Sequence, residues 1–275
     1  MEKLTHTKEL TKAFNIEVSD SDNREGWFAG RPVGIKINQW PRSRVNGLPM
    51  AHIWTFLVPK EYRVKGSDYI AISLFQADDH VAEEIKEVES VINDKKEVKD
   101  SDAQKFWDSL LEYSKNRHSM EIYLEDIIDG GWVLIWLTKE EFDSKQIELP
   151  NEDNSVHPEY DYEDYGNCFA QDDPPRYVKL IERENDPNIG IKLDDWPDEE
   201  DENAYINMHS KKGEKLKLKE RFWGKTHFGG TANPCQANPG FSPYYIEFEE
   251  GFGNANMGGG NGQIDLLNDE LDWAQ

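Results

Sequence analysis

Histidine is the side chain best suited to acid–base chemistry near neutral pH, and this chain has seven histidines. No two stand at the spacing of a metal-binding helix, and the sequence lacks a His-Glu-x-x-His motif. His227 is the one histidine in a glycine-rich setting, directly before Phe228-Gly229-Gly230. One hypothesis is therefore an enzyme or small-ligand-binding protein with a pocket between two halves, lined by Trp40, His227 and Gln236.

The glycine-rich segment 251–262 has the composition of a phosphate-binding loop but lacks the residues that such a loop needs. Position 256 is Asn where the dinucleotide fingerprint requires Gly, and the segment contains no Lys. The last basic residue of the chain is Lys225. We interpret the segment as a tight turn between strands at 244–248 and 263–267, with glycines at positive φ.

The chain carries no segment typical of export or of a membrane span. Its longest apolar run, Trp132 to Leu137, is much shorter than either requires. The two cysteines, Cys168 and Cys235, lie far apart, which indicates reduced thiols rather than a disulfide framework or a zinc site. We therefore expect a cytoplasmic protein with no metal ion and no other cofactor.

The chain is strongly acidic, since 55 Asp and Glu against 31 Lys and Arg give a formal net charge of −24. This charge disfavours binding to nucleic acid or to anionic membranes, because phosphate groups would be repelled. Residues 146–175 contain nine carboxylates and no Lys or Arg. The chain between Lys192 and Lys211 also contains no Lys or Arg. The candidate partner-binding residues are Glu159, Tyr160, Asp161, Tyr162, Glu163, Asp164 and Tyr165 in the first run, and Asp194, Asp195, Asp198, Glu199, Glu200, Asp201 and Glu202 in the second.

Two roles for these acidic runs stay open at this point. The ordinary role is a solvated loop, and a housekeeping protein with acidity for solubility alone is consistent with it. The functional role is a face that docks a basic protein by imitating the phosphates that this protein normally grips. Association would then be fast and sensitive to salt.

An internal repeat indicates how these residues are positioned. The segment Gly34-Ile35-Lys36-Ile37-Asn38-Gln39-Trp40-Pro41 returns as Gly190-Ile191-Lys192-Leu193-Asp194-Asp195-Trp196-Pro197, with five of the eight positions identical. We interpret each copy as a short strand that enters a Trp-Pro turn. The repeat predicts a first α+β half over residues 1–145, an acidic connection over 146–176 and a second, mostly β half over 177–275, packed as one compact unit.

The expected fold class is α+β, with mixed, largely antiparallel sheets and a two-helix insert at 79–117 in the first half. In the insert, Val81, Ile85, Val88 and Ile92 fall on one helical face, and Phe106 begins a second apolar stripe. A further helix is expected at 7–14. Strands are expected at 33–37, 52–58, 69–75, 132–137, 177–181, 189–193, 204–208, 216–218, 244–248 and 264–267.

Short motifs follow one another in the carboxyl-terminal half. They are His227-Phe228-Gly229-Gly230, then Pro234, Gln236 and Pro239, the strand Tyr244-Tyr245-Ile246-Glu247-Phe248, the turn Gly258-Gly259-Gly260-Asn261-Gly262-Gln263-Ile264, and Trp273. In these motifs the chain resembles the YwqG-like family, and Trp40-Pro41 with Gly47-Leu48-Pro49 is similar to that family's opening segment. The helical insert and the long acidic middle depart from the family's pattern.

The resemblance implies an α+β fold of mixed, largely antiparallel sheet, a bacterial context and no established enzymatic activity. Some relatives are associated with toxin loci, which implies immunity to a toxin. The leading hypothesis is thus a non-catalytic, cytoplasmic immunity protein. It would occlude the basic active site of a cognate toxin, plausibly a nuclease, with the two acidic runs, while Tyr160, Tyr162, Tyr165 and Tyr205 serve as anchors.

Overall fold

A computed structural model describes residues 10–77, 84–125, 130–160, 167–170, 173–195, 204–253 and 255–274 of the chain. The strands are β1 Phe14–Val18, β2 Gly26–Phe28, β3 Ala51–Leu57, β4 Tyr69–Ala77, β5 Glu121–Glu125, β6 Gly131–Thr138, β7 Arg176–Glu182, β8 His227–Phe228, β9 Tyr245–Glu249, β10 Asn261–Asp265 and β11 Glu270–Ala274. The helices are α1 Val88–Asp94, α2 Gln104–Asn116, α3 Lys139–Phe142, α4 Glu152–Ser155, α5 Lys211–Lys215 and α6 Leu218–Phe222. Single 3-10 turns occupy Ile37–Gln39, Lys60–Tyr62 and Cys168–Ala170.

All eleven strands belong to one sheet in the order β11-β10-β9-β8-β1-β7-β2-β3-β4-β6-β5. Every pairing within this order is antiparallel. The two edge strands, β5 and β11, approach each other, so the sheet is nearly closed and barrel-like. The expected antiparallel pairing is confirmed, but the protein is mostly β rather than a balanced α+β mixture.

The central strands are apolar on both faces because both faces of the sheet are covered. On β6, Trp132, Leu134 and Trp136 point to the inner face, where they join the main core. Val133 and Ile135 point to the outer face and join a second cluster. Since successive side chains of a strand alternate between faces, an unbroken apolar run of this kind requires cover on both sides. The strand expected at 132–137 is confirmed as such a strand.

Neither the first copy of the repeat nor the described part of the second, residues 190–195, forms a strand, so the strands expected at 33–37 and 189–193 are wrong. Both segments cover the outer face of the sheet. Ile35 packs in the outer cluster over β4 and β6, and Ile191 packs beside Tyr245 over β9. The glycine that begins each copy, Gly34 or Gly190, has a φ of +76°. Such a backbone leaves the chain unable to continue as a strand, and it favours glycine at that position.

The expected helix at 7–14 is wrong in its described part, because Phe14 begins β1 and residues 10–13 are not helical. The strand expected at 204–208 is also wrong, since the described residues there form an irregular segment and a turn. Residues 216–218 form no strand either and lie at the joint between α5 and α6. There Leu218 and Phe222, one helical turn apart, are buried with Ile206 and Met208. Burial of this helical pair, rather than the Lys-Leu alternation, therefore determines the local structure.

The glycine-rich segment joins β9 to β10, as expected, but it is a long loop that folds against the sheet rather than a tight turn. The ring of Phe252 lies 4.9 Å from the ring of Phe28 on β2. The side chain of Gln76 on β4 donates to the Asn256 carbonyl at 2.9 Å and accepts from the Asn256 N–H at 2.8 Å. This loop therefore ties the carboxyl-terminal strands to β2 and β4.

We predict that Gly253→Ala destabilises the protein by about 2 kcal/mol or more. Gly253 has a φ of +102°, and a Cβ there would collide with the carbonyl oxygen of Ile53. Gly251→Ala, in the same loop, is the matched control, since a Cβ at Gly251 meets no atom within 4 Å. It should change the free energy of unfolding by less than about 0.5 kcal/mol. Urea unfolding measures both, and equal effects would contradict the close docking of this loop.

Candidate functional site

The two-helix insert, described over residues 84–116 and called the helical lobe below, is built around a small core of its own. Val88, Ile92, Phe106 and Leu110 of α1 and α2 pack together in it. The expectation of two helices within 79–117 is confirmed. Ser114 of α2 donates a hydrogen bond to the carbonyl of Ile92 at 2.8 Å, which fixes the two helices against each other.

One hydrogen bond with unusual electrostatics attaches the helical lobe to the sheet. The Tyr113 hydroxyl of α2 donates to Glu121 Oε1 of β5 at 2.8 Å. The second carboxylate oxygen of Glu121 is buried without a hydrogen-bond partner among the described residues. Burial raises the pKa of Glu121 to about 7, although Tyr113 and Arg117, 4.0 Å away, act in the opposite direction. The attachment is therefore sensitive to pH.

The first acidic run reaches the helical lobe from the other side. His157 places its ring 5.2 Å from the ring of Phe106 and 5.6 Å from that of Trp107, in edge-to-face contacts. The hydroxyl of Tyr160 accepts a hydrogen bond from Asn46 Nδ2 at 3.1 Å. The predicted residues Glu159 and Tyr160 thus lie against the helical lobe.

Between them lies a cleft of about 310 Å³, called the acidic cleft below. It is lined by four carboxylates and one lysine, Lys86, with the aromatic rings of Trp107 and Tyr160. The carboxylates are those of Glu84, Glu87, Asp100 and Glu159. The backbone N–H of Asp102 donates to Asp100 Oδ1 at 3.0 Å and lowers the pKa of Asp100, which keeps it ionised. Four carboxylates beside two aromatic rings suit a Lys or Arg side chain.

The described part of the second acidic run, Asp194 and Asp195, lies elsewhere on the molecule, on the segment that covers β9. Asp194 is exposed, and Asp195 is half-buried and accepts a hydrogen bond from the Asn238 N–H at 3.2 Å. Asp195 follows Leu193, which is buried beside Tyr245. The remaining predicted partner-binding residues, Asp161, Tyr162, Glu163, Asp164, Tyr165, Asp198, Glu199, Glu200, Asp201 and Glu202, lie outside the described residues.

The structure does not bring Trp40, His227 and Gln236 together. Trp40 is buried, donates to the Met50 carbonyl at 2.9 Å and packs against Phe75 of β4. His227 belongs to β8, which is five positions from β4 in the order of strands. Gln236 is exposed on the segment after β8.

His227 has the environment of an internal structural residue. It is completely buried, with Nδ1 2.9 Å from the Gly229 carbonyl oxygen and Nε2 3.1 Å from Glu247 Oε1. Burial lowers the pKa of His227, and the nearby Arg183 adds to that effect. Both ring nitrogens are occupied by protein groups, so proton transfer to a ligand would need a rearrangement of this network.

A buried ion pair that the sequence did not reveal holds the His-Phe-Gly-Gly segment. The side chains of Arg183 and Asp186 are fully buried and 3.2 Å apart. Asp186 also accepts hydrogen bonds from the Thr231 N–H and hydroxyl at 2.8 and 2.7 Å, and Arg183 donates to the Thr231 carbonyl at 2.9 Å. A Cβ at Gly230 would collide with Asp186 Oδ2, which explains the glycine at this position. The His-Phe-Gly-Gly motif therefore has a structural role, because its glycine lets the backbone pack against the buried ion pair.

No family model, no curated protein and no solved structure matches this chain. The resemblance to the YwqG-like family therefore stays a prediction from the motifs. Within the described ranges, no helix is long and apolar enough to cross a membrane. In the same ranges, no group of three His, Cys, Asp or Glu residues is placed to hold a metal ion.

We predict that Arg183→Met lowers the free energy of unfolding by about 3–5 kcal/mol, because it leaves the Asp186 carboxylate buried without its cation. Lys179→Met is the control. Lys179 pairs with Glu17 at 3.9 Å on the surface, and its loss should cost about 1 kcal/mol or less. Chemical denaturation of both variants measures the difference. A cost below about 1 kcal/mol for Arg183→Met would contradict the structural role.

We predict that Glu121→Gln removes a loss of stability that the wild-type protein suffers as pH rises. The folded pKa of Glu121, about 7, exceeds its ordinary value of 4.5, so its stabilising effect is complete below pH 4.5 and disappears as pH rises through 7. Relative to the wild type, Glu121→Gln should gain on the order of 1–3 kcal/mol between pH 5 and pH 8. Urea unfolding across this range tests it, with the exposed Glu140→Gln as control. Parallel stability curves would contradict the prediction.

Proposed function

We propose that this chain is a non-catalytic binding protein that docks a basic partner protein on the acidic cleft. In the fuller form of the proposal, the chain is a cytoplasmic bacterial immunity protein. Its partner is a toxin with a basic active site, plausibly a nuclease, which the bound chain occludes. The observation that supports the proposal is the composition of the acidic cleft, where predicted partner-binding residues meet the carboxylates of the helical lobe.

The cleft has the chemistry that a Lys or Arg side chain of such a partner requires. Four carboxylates against Lys86 give it an excess of negative charge, and its volume is sufficient for one long basic side chain. Trp107 is buried against His157, whereas Tyr160 is half-buried with its hydroxyl held by Asn46 Nδ2, so Tyr160 offers the accessible ring. A rigid aromatic ring costs little conformational entropy on binding and attracts a cation over its face.

The net charge of −24 extends this attraction beyond the cleft itself. At physiological ionic strength, charges are screened over roughly 8 Å, so the cleft and its nearest acidic neighbours dominate the final approach. Residues 146–160 contain four carboxylates, of which Glu159 lines the cleft, and no Lys or Arg. We also propose that the chain consists of two related halves joined through 146–176. The glycines that begin the two repeat copies, Gly34 and Gly190, have the same φ of +76°, which supports this relation.

We predict that Glu84→Gln with Glu159→Gln slows association with the partner roughly threefold to tenfold and weakens its salt dependence. The matched control, Glu89→Gln with Asp94→Asn, removes two exposed charges of α1 that do not line the cleft. The protein encoded by the adjacent gene is the partner to test, by stopped-flow kinetics and calorimetry. Equal association rates for the two double variants would contradict the role of the cleft, and no binding to a neighbouring gene product would contradict the immunity function.

A further inference from the structure

Arg42, which lies one residue after the Trp40-Pro41 step, is a buried cation with no acidic partner among the residues described. Only 4% of the surface of Arg42 is exposed. Nε donates to the Gly47 carbonyl at 2.6 Å, and Nη2 donates to the Ser155 carbonyl at 3.1 Å. Among the residues that the structure describes, no carboxylate is recorded within ion-pair distance of its guanidinium, and the two hydrogen bonds of Arg42 go to neutral carbonyl oxygens.

Within the described part of the chain, the groups that surround Arg42 supply no counter-ion for its charge. Burial lowers the pKa of Arg42 to about 10, which still leaves the guanidinium protonated at neutral pH. Two titratable groups raise this pKa slightly, the thiol of Cys168 and the phenol of Tyr113. Burial raises the pKa of both, so both are neutral at pH 7. An isolated charge in a protein interior is costly, and a bound anion would remove much of that cost.

Arg42 lines a cleft of about 480 Å³ between the 3-10 turn Ile37–Gln39, α2 and α4, called the Arg42 cleft below. A volume of this size holds a small organic molecule rather than a single inorganic ion. Besides Arg42, it offers one lysine and five neutral polar side chains, namely Lys105, Asn38, Ser109, Asn151, Asn154 and Ser155.

Two carboxylates also line the Arg42 cleft, and both are held by neighbouring side chains. Gln104 Nε2 donates to Asp108 at 2.9 Å, and Asn38 Nδ2 donates to Glu112 at 2.9 Å. Asp108 and Glu112 are exposed, so water screens their charge, whereas Arg42 is buried. The buried, unpaired cation therefore decides which ligand charge the cleft selects.

We propose that the Arg42 cleft binds a small polar organic oxyanion. A carboxylate or phosphate group of the ligand contacts Arg42 and Lys105, and the remaining polar atoms contact the asparagine side chains. Guanidinium binds such groups in a directed, charge-assisted way. This site is separate from the acidic cleft and takes ligands of the opposite charge.

Inorganic phosphate and acetate are the probes that test the site, each titrated into the full-length protein and followed by the ¹⁵N NMR signals of Arg42 Nε and the side-chain amides of Asn38, Asn151 and Asn154. We expect saturable shifts for at least one probe, with a dissociation constant on the order of 1 mM. Tighter phosphate binding assigns the ligand as a phosphate ester, and tighter acetate binding assigns it as a carboxylate. No saturable shift with either probe, at matched chloride concentration, would overturn the proposal.

Variants separate the site from general ionic effects. Arg42→Gln should weaken binding about tenfold or more, since it removes a charged hydrogen-bond donor. If Arg42→Gln fails to fold, Lys105→Gln and Lys115→Gln decide the question, because both lysines are exposed on α2 and only Lys105 lines the cleft. Lys105→Gln should weaken binding severalfold and Lys115→Gln should not. Equal effects of the two would overturn the proposal.

Discussion

The antiparallel pairing of β7 with β1 on one side and β2 on the other joins the two parts of the sheet. β7 is the middle strand of the sheet, with five strands on each side in the order of pairing. Its partners both precede residue 30, although β7 begins at Arg176. Without this strand the sheet would separate into two open sheets with unpaired edges, which favour aggregation. Ordering the long chain between the paired strands costs entropy, which the apolar inner face must offset.

This arrangement decides where binding sites lie. The inner face is filled by large side chains such as Trp54 and Phe56, whose rings stack at 4.6 Å, and by Phe248. The outer face is covered by long connections, among them the first repeat copy and residues 190–195 of the second. Both clefts consequently lie on the connections and on the helical lobe, where the chain is free to vary without disturbing the sheet.

The sequence predicted the elements whose pattern is determined locally. β3, β4 and β6 are long apolar runs, and α2 has an apolar stripe of helical period, so each was recognisable. β8 has two residues and β2 has three, which is too short for a periodic signal. The repeat exists in the sequence, but the prediction that each copy forms a strand was wrong. An irregular segment that packs Ile35 onto the sheet shows the same pattern of apolar residues as a strand does. Only long-range packing distinguishes the two.

The candidate site was predictable only in part, for a related reason. Glu159 and Tyr160 were selected for acidic and aromatic composition, but Glu84 and Trp107 come from another segment of the chain, and no local pattern joins them. Arg42 was missed because arginine is normally solvated, and its burial depends on Gly47 and Ser155. In the same way, no local pattern in the sequence predicts that the side chains of Arg183 and Asp186 are buried.

The position of α2 between the two clefts has a thermodynamic consequence. Phe106 lies 5.9 Å from the guanidinium of Arg42 and 5.2 Å from the ring of His157, which also contacts Trp107 in the acidic cleft. If these rings have two arrangements and each ligand binds one of them more tightly, each ligand changes the affinity of the other cleft by the same factor. The opposite charges of the two ligands would not oppose such a linkage, because packed rings rather than charges would carry it. A small oxyanion and a basic protein would thus regulate each other through one helix.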